Sequence, residues 1–249
     1  MARAADTSGA APVRDRQEGP GAGGADDLRA GVIVAGRYQL ERPIGTGGMA
    51  TIWEGTHLTL NRPIAIKFIE LVGADAAKVR ERFLREARVA AAVQHPNVVD
   101  GVDFGTTAWG RPFMVMERLV GRTLADRMTD DEPVAVGEAV RIAARTLAGL
   151  AAVHDVGIVH RDLKPENIFL VDDADGCYPK LLDFGVSRAV DPGGELQSVL
   201  PTVENAIVGT PQYMSPEQAR GLQDIDGRSD LWSLGVMLYE LLTGELSYD

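Results

Sequence analysis

The run His160-Arg161-Asp162-Leu163-Lys164-Pro165-Glu166-Asn167, followed by Asp183-Phe184-Gly185, constrains this chain more than any other feature. It sets a carboxylate, a cation, a carboxamide and a second carboxylate along one short stretch. Short strands are expected around 168–170 and 180–182, flanking a polar turn at 172–176. Together they make one loop–hairpin unit, and any fold this chain adopts must hold that unit on a scaffold. A plain polar turn with satisfied side chains would have to bring all these types to these spacings by chance.

The scaffold is legible in outline. Residues 1–36 are rich in Ala, Gly, Pro, Asp and Arg with few large apolar side chains, so they cannot offset their ordering entropy by burial and are expected to be a disordered tail. Strand-like alternation begins at Tyr38 and runs over 38–44, resumes over 51–55, and returns over 64–69. Apolar positions at Val79, Phe83, Ala87, Ala90 and Ala91 predict a helix over 75–94, ending before His95-Pro96-Asn97. Two further strands are expected near 98–105 and 112–117. After Gly121 the pattern turns helical. The helix over 137–154 is expected to present Val140, Ala143, Ala144, Leu147, Leu150 and Ala151 on one face. A long irregular stretch over 184–212 leads to a short helix near 216–220 and an apolar helix over 230–243. A mostly β lobe (37–120) followed by a mostly helical one (121–249) is an α+β architecture with a cleft between lobes.

Chemistry can be read from residue types. Phosphoryl transfer needs a carboxylate near the attacking hydroxyl, a cation for developing charge, and oxygens for magnesium. Asp162, Lys164, Asn167 and Asp183 supply that set. Gly45-Thr46-Gly47-Gly48-Met49-Ala50 lies between two strands, where glycines let backbone N–H groups approach phosphate. A glycine-rich hairpin turn explains it equally well when taken alone. It is not a Walker A loop, which would need Gly-Lys-Ser/Thr, nor a dinucleotide fingerprint, which would run into a helix. Lys67 on the third strand and Glu86 on the following helix each read as ordinary surface charges, yet together they suggest a Lys–Glu pair holding phosphates. His57, His95 and His154 show no metal-ligand spacing.

The set as a whole resembles the protein kinases, and particularly the bacterial Hanks-type Ser/Thr family, with the motifs in family order from about residue 38 to 249. Gly45-Thr46-Gly47-Gly48-Met49 resembles the bacterial members. Lys164 and the run Gly209-Thr210-Pro211-Gln212-Tyr213-Met214-Ser215-Pro216-Glu217 resemble Ser/Thr rather than Tyr kinases. The resemblance implies a two-lobed fold, with a small β-rich N-lobe and a mostly helical C-lobe. It implies ATP and Mg2+ as cofactors and transfer of the γ-phosphate to protein Ser or Thr hydroxyls. Lys67 would hold phosphates and pair with Glu86, Asp162 would accept the hydroxyl proton, and Lys164 would contact the γ-phosphate. Asn167 and Asp183 would bind the metal. Nucleotide contacts would come from Ile44, the 45–50 loop, Ile52, Ala65, the gatekeeper Met116, and the hinge Glu117 to Leu119. Thr210 would brace the loop, Asp230 would support it from below, and Arg161 would pair with a phosphate on Ser198 or Thr202. Ala50 in place of a third glycine, Ile52 in place of Val, and Ser215 in place of Ala are small departures.

In the family, further helices follow the position of Gly244, and one carries an arginine that pairs with Glu217. For residues 1–249 alone, the expectation is therefore an incomplete C-lobe, a Glu217 lacking its cation, and an exposed part of the 230–243 helix. Aggregation and little activity would follow. Two other function classes compete. A nucleotide-binding pseudokinase scaffold would have lost Lys67, Asp162 or Asp183, and none is lost. A small-molecule phosphotransferase of related fold would lack the 210–217 segment. A net charge of −11 argues against nucleic-acid or anionic-membrane partners. No apolar stretch is long enough to span a bilayer. Cys177 is the sole cysteine, which precludes an internal disulfide and fits a cytoplasmic setting. The resemblance further implies a protein substrate and a homodimer for autophosphorylation in trans. Family members often carry a membrane anchor beyond the catalytic domain.

Overall fold

The computed structural model describes residues 28–47, 50–70, 83, 93–130, 133–173, 176–183, 211–222 and 224–247. Six strands form the first sheet: β1 (Ile33–Val34), β2 (Tyr38–Thr46), β3 (Ala50–His57), β4 (Arg62–Ile69), β5 (Gly101–Thr106) and β6 (Pro112–Glu117), in spatial order β1-β2-β3-β4-β6-β5. All neighbours run antiparallel. The second sheet is small, with β7 (Gly121–Thr123), β8 (Ile168–Asp173) and β9 (Gly176–Leu181). Helices α1 (Leu124–Met128), α2 (Val136–Asp155), α3 (Pro216–Ala219) and α4 (Arg228–Thr243) accompany it.

Alternation along the strands separates two cores. On β4, Ile64, Ile66 and Phe68 join Tyr38, Leu40, Trp53, Phe113 and Val115 on the outer face. Ala65 and Ile69 face the other way, into a cluster with Met114, Met116, Phe83 and Val93 that continues through Val98, Leu150, Leu163 and Leu181 into α2 and α4. Period-two patterning thus gives the sheet one private core and one shared with the second lobe. A mostly β lobe against a mostly helical one is the two-lobed kinase arrangement.

Several expectations need correction. Ordered chain begins before residue 37: Val34 is buried, Leu28 and Val32 pack on the outer core, and Leu40 donates to the Val32 carbonyl at 2.9 Å. Few apolar residues suffice there, because they only close the end of an existing sheet. Residues 1–27 lie outside the described residues, as does the expected 75–94 helix apart from Phe83 and from Val93 and Gln94, which are not helical. The strand expected from 98 starts at Gly101, because residues 97–99 are used elsewhere. Leu181 donates to the Asn97 carbonyl at 2.9 Å, Val99 donates to the Leu181 carbonyl at 3.0 Å, and the Asn97 side chain donates to the Pro179 carbonyl at 2.8 Å. The hairpin is longer than expected, with Asp172 and Asp173 in β8 paired to Cys177 and Gly176.

The face expected of α2 is only partly right, since Ala143 and Leu150 are buried but the buried side is turned from the rest. The helix buries Ala139, Ile142, Ala143, Thr146, Gly149, Leu150 and Val153, while Val140 and Leu147 are exposed. Gly149 explains the choice: a Cβ there would lie 2.7 Å from the Asn97 carbonyl oxygen, so the helix seats on the 97–99 crossing through its smallest residue. On α4, Leu234, Val236, Met237 and Leu241 are buried, whereas Leu231, Trp232 and Leu242 meet solvent.

Candidate active site

The catalytic-loop candidates rest on Asp230. This carboxylate lies in the first turn of α4, where the helix dipole favours negative charge, and is 1% exposed. Its Oδ2 accepts from the His160 N–H and its Oδ1 from the Arg161 N–H, both at 2.8 Å; His154 Nε2 lies 2.7 Å from Oδ2. The anchoring has a purpose in the backbone. Arg161 has φ +63°, a left-handed conformation that costs a non-glycine residue about 1–3 kcal/mol.

Beyond that turn the loop gathers its polar groups. Asn167 Nδ2 donates to the Asp162 carbonyl at 2.7 Å and lies 3.3 Å from Asp162 Oδ2, and Lys164 Nζ is 3.3 Å from the same Oδ2. Pro165 opens a single 3-10 turn (Pro165–Asn167) that sets this spacing. The hairpin then brings Asp183 alongside: Leu182 donates to the Asn167 carbonyl at 2.9 Å, and its own carbonyl lies 2.9 Å from His160 Nε2. Asp183 has φ +43°.

The first lobe contributes from above. Register rows place Gly45, Ile52, Lys67 and Met114 across the sheet, and Arg42, Glu54, Ala65 and Met116 across the next row on the same face. Lys67, nearly buried, reaches Asp183 Oδ1 at 2.6 Å and so bridges the lobes. Glu86, its expected partner, lies outside the described residues, as do Gly48, Met49, Ser198, Thr202 and Thr210. Ile44 is exposed at the cleft edge, and Gly47 N–H donates to the Ala50 carbonyl at 2.8 Å, closing the glycine loop's base. Thr46 ends β2, and Leu119 packs against the shared core.

Lys180 carries a role that sequence alone did not disclose. It is buried on β9 and spans to the hinge, donating to Glu117 Oε1 at 2.6 Å and to the Val98 carbonyl at 3.3 Å. Glu117 Oε1 also accepts from the Asp100 N–H at 2.7 Å. A strand lysine reads as a surface residue, and its partner is too distant in sequence for any local pattern. Gln218 was likewise missed. Its side chain completes a capping box with Ser215 and donates to the Arg161 carbonyl at 2.7 Å, joining α3 to the loop.

Glu217 is not the uncompensated buried carboxylate expected. It is half-buried, accepts from the Ser229 hydroxyl, and that hydrogen bond, seconded by its backbone, holds its carboxyl below the usual range. Tyr213 donates to Glu240 Oε2 at 2.6 Å, and burial with that carboxylate pushes its phenol well up.

The donor chemistry at Asn167 and Asp183 fits magnesium. The Asn167 amide nitrogen is committed to the loop, leaving its oxygen as the metal-facing end, and Asp183 offers a carboxylate. Among the described residues no cluster of three His, Cys, Asp or Glu exists, so a cation here would draw its other oxygens from phosphates and water.

A cleft between a β lobe and a helical lobe, crossed by a lysine–aspartate contact above an Asp-Lys-Asn loop, is the arrangement of the two-lobed kinase class. Residues 38–249 match the protein kinase domain family, and the chain belongs to it. It is 43% identical over 218 residues to the serine/threonine-protein kinase pkn2 of Myxococcus xanthus, covering 88% of this chain and 26% of that protein. It is 40% identical over 215 residues to the serine/threonine-protein kinase PknB of Mycobacterium leprae, covering 85% and 33%. The crystal structure of the Mycobacterium tuberculosis PknI kinase domain superposes with a TM-score of 0.68 at 28% identity, covering 89% of this chain and 80% of that one. The chain thus spans about a quarter to a third of the curated relatives' length.

Proposed function

We propose that this domain transfers the γ-phosphate of ATP to Ser or Thr hydroxyls of proteins. The observation that carries the reading is the convergence of Asp162, Lys164 and Asn167 within 3.3 Å contacts, next to an Asp183 that already meets Lys67. Lys67 binds and orients the nucleotide phosphates. Asp162 accepts the hydroxyl proton as the oxygen attacks, and Lys164 steadies the charge on the transferred group. Magnesium held by Asn167 and Asp183, when bound, supplies charge neutralisation to the phosphates. The adenine lies against the backbone from Glu117 to Leu119 with Met116 behind it, under Ile44, Ile52 and Ala65.

Activation-segment phosphorylation at Ser198 or Thr202, in trans within a homodimer and answered by Arg161, belongs to the same reading, as does a cytoplasmic setting. A phosphate adds about −1.5 to −2 charges, enough to order a segment against an arginine. The test is a radiolabel transfer assay. Asp162→Asn should lower turnover by at least about 100-fold while ATP affinity stays within a few-fold, since the base touches the hydroxyl rather than the nucleotide. An Asp162→Asn protein with full rate would overturn the assignment. Mass spectrometry of active protein should find phosphate between residues 191 and 210.

A further inference from the structure

Three charged side chains meet where the hinge leaves the first sheet. Glu54 on β3 pairs with Arg42 on β2 at 2.5 Å and with the hinge residue Arg118 through its guanidinium Nε. The Glu54 side chain is 13% exposed and that of Arg118 23%, so the second pair is screened far less than a surface one. The first is half open, since Arg42 reaches from solvent.

Their position gives these contacts leverage. Arg42, Glu54, Ala65 and Met116 form one register row across the sheet, so Glu54 stands on the cleft-facing side with Ala65 and Met116. Two residues further out from Glu54 along β3 is Ile52, which opposes Gly45 at the root of the glycine loop. The β2–β3 stem is irregular here: its register shifts between Leu40 and Arg42 and again between Pro43 and Gly45. Pro43 also brings no N–H to the ladder. The hairpin is therefore loosely laddered on its β2 side, while β3 keeps an unbroken register with β4, and Glu54 joins that looser side, through Arg42, to the hinge, through Arg118.

We infer that Arg118, Glu54 and Arg42 form a charge clip that fastens the glycine-loop hairpin to the hinge and so sets the height of the roof over the nucleotide. The three are positioning residues. Arg118 moves with the hinge, Glu54 and Arg42 with the hairpin, and the pairs between them fix one relative to the other. The inference rests on the nucleotide-cleft reading above. If the clip is open, only a fraction of molecules hold the hairpin in the binding geometry, and apparent affinity falls by that fraction. Chemistry in the molecules that do bind is untouched, because the described contacts of Arg42, Glu54 and Arg118 stay within the hairpin and the hinge.

The test uses Arg118→Leu, Glu54→Gln and the conservative Arg118→Lys, each first checked by thermal unfolding. Two readouts are taken: backbone hydrogen exchange over residues 44–52 without nucleotide, and the dependence of the rate on ATP concentration. The clip predicts faster exchange at 44–52 in Arg118→Leu and Glu54→Gln, and in Glu54→Gln a KM for ATP raised about three- to tenfold with kcat within about twofold. Arg118→Lys should recover most of the exchange protection. Unchanged exchange at 44–52 in folded Arg118→Leu overturns the clip, whatever the kinetics show. So does a fall in kcat with KM unmoved. A wild-type protein that neither binds ATP nor transfers phosphate sinks the kinase reading instead, and the exchange measurement still decides whether the hairpin is fastened to the hinge.

Discussion

Glu217 illustrates how a single hydroxyl sets a residue's contribution. The Ser229 donor stabilises the ionised carboxyl, so its folded pKa lies below the ordinary value of 4.5. A depressed carboxylate adds stability that is present above 4.5 and disappears as pH falls through the folded value. Ser229→Ala, which removes the donor, should therefore flatten the acid limb of the stability profile, read as denaturant midpoint against pH from about 3 to 6. Identical limbs for variant and wild type would refute the assignment. Asp230 has larger consequences. Replacing it by Ala orphans two backbone amides, each costing about 1–3 kcal/mol when buried, and frees the left-handed turn at Arg161. Asp230→Asn keeps an acceptor oxygen and should recover part of the loss in thermal unfolding. Proximity at this scale was announced in part by the sequence: Asp162 and Asn167 are 3.3 Å apart within their motif, and Asp183 follows a Leu182 that is bonded to Asn167. The partners of His154 and Lys180 were not, because a histidine at a helix end and a lysine in a strand take their meaning from carboxylates 76 and 63 residues away.

Among the elements, α2 shows where periodicity misleads. Its sequence offers apolar residues on two adjoining sides; Ala143 and Leu150 are buried as expected, while Val140 and Leu147 are exposed and Ile142 and Val153 take their place. Hydrophobic spacing cannot see that a tight crossing against residues 97–99 selects the side with Thr146 and Gly149. The strands fared better, since β4 and β6 are buried on both faces and their nearly continuous apolar runs mark them in the sequence. Glycines on two helices give a paired prediction. Gly149→Ala places a methyl against the Asn97 carbonyl and Leu181, and should cost about 1–3 kcal/mol despite the better helix propensity of alanine. Gly235→Ala on α4 meets nothing within 4 Å and should stabilise by up to about 1 kcal/mol. Thermal unfolding of both variants checks the contrast; melting points moving the same way would contradict the packing described.

For the whole molecule, among the described residues, ion pairs join the lobes from Lys67 to Asp183 in front and from Lys180 to Glu117 behind, beside the hydrogen bonds of residues 97 and 99 to residues 179 and 181. Lys180→Met removes the rear link while keeping the stem buried. It leaves Glu117 with the Asp100 amide, and is expected to cost about 1–3 kcal/mol. For a chain of this size that is roughly 2–4 °C in melting temperature per kcal/mol, so differential scanning calorimetry should resolve it; an unshifted melt would mean the pair is cosmetic. The left-handed backbone at Arg161 and Asp183 has a different kind of consequence, one for lineages rather than molecules. Glycine would relax both positions, and a population selected only for thermal endurance would find those replacements early. Such lineages would keep the architecture while discarding the side chains that line the cleft. Wherever Arg161 and Asp183 stand in such a backbone, thermal endurance alone does not account for their presence.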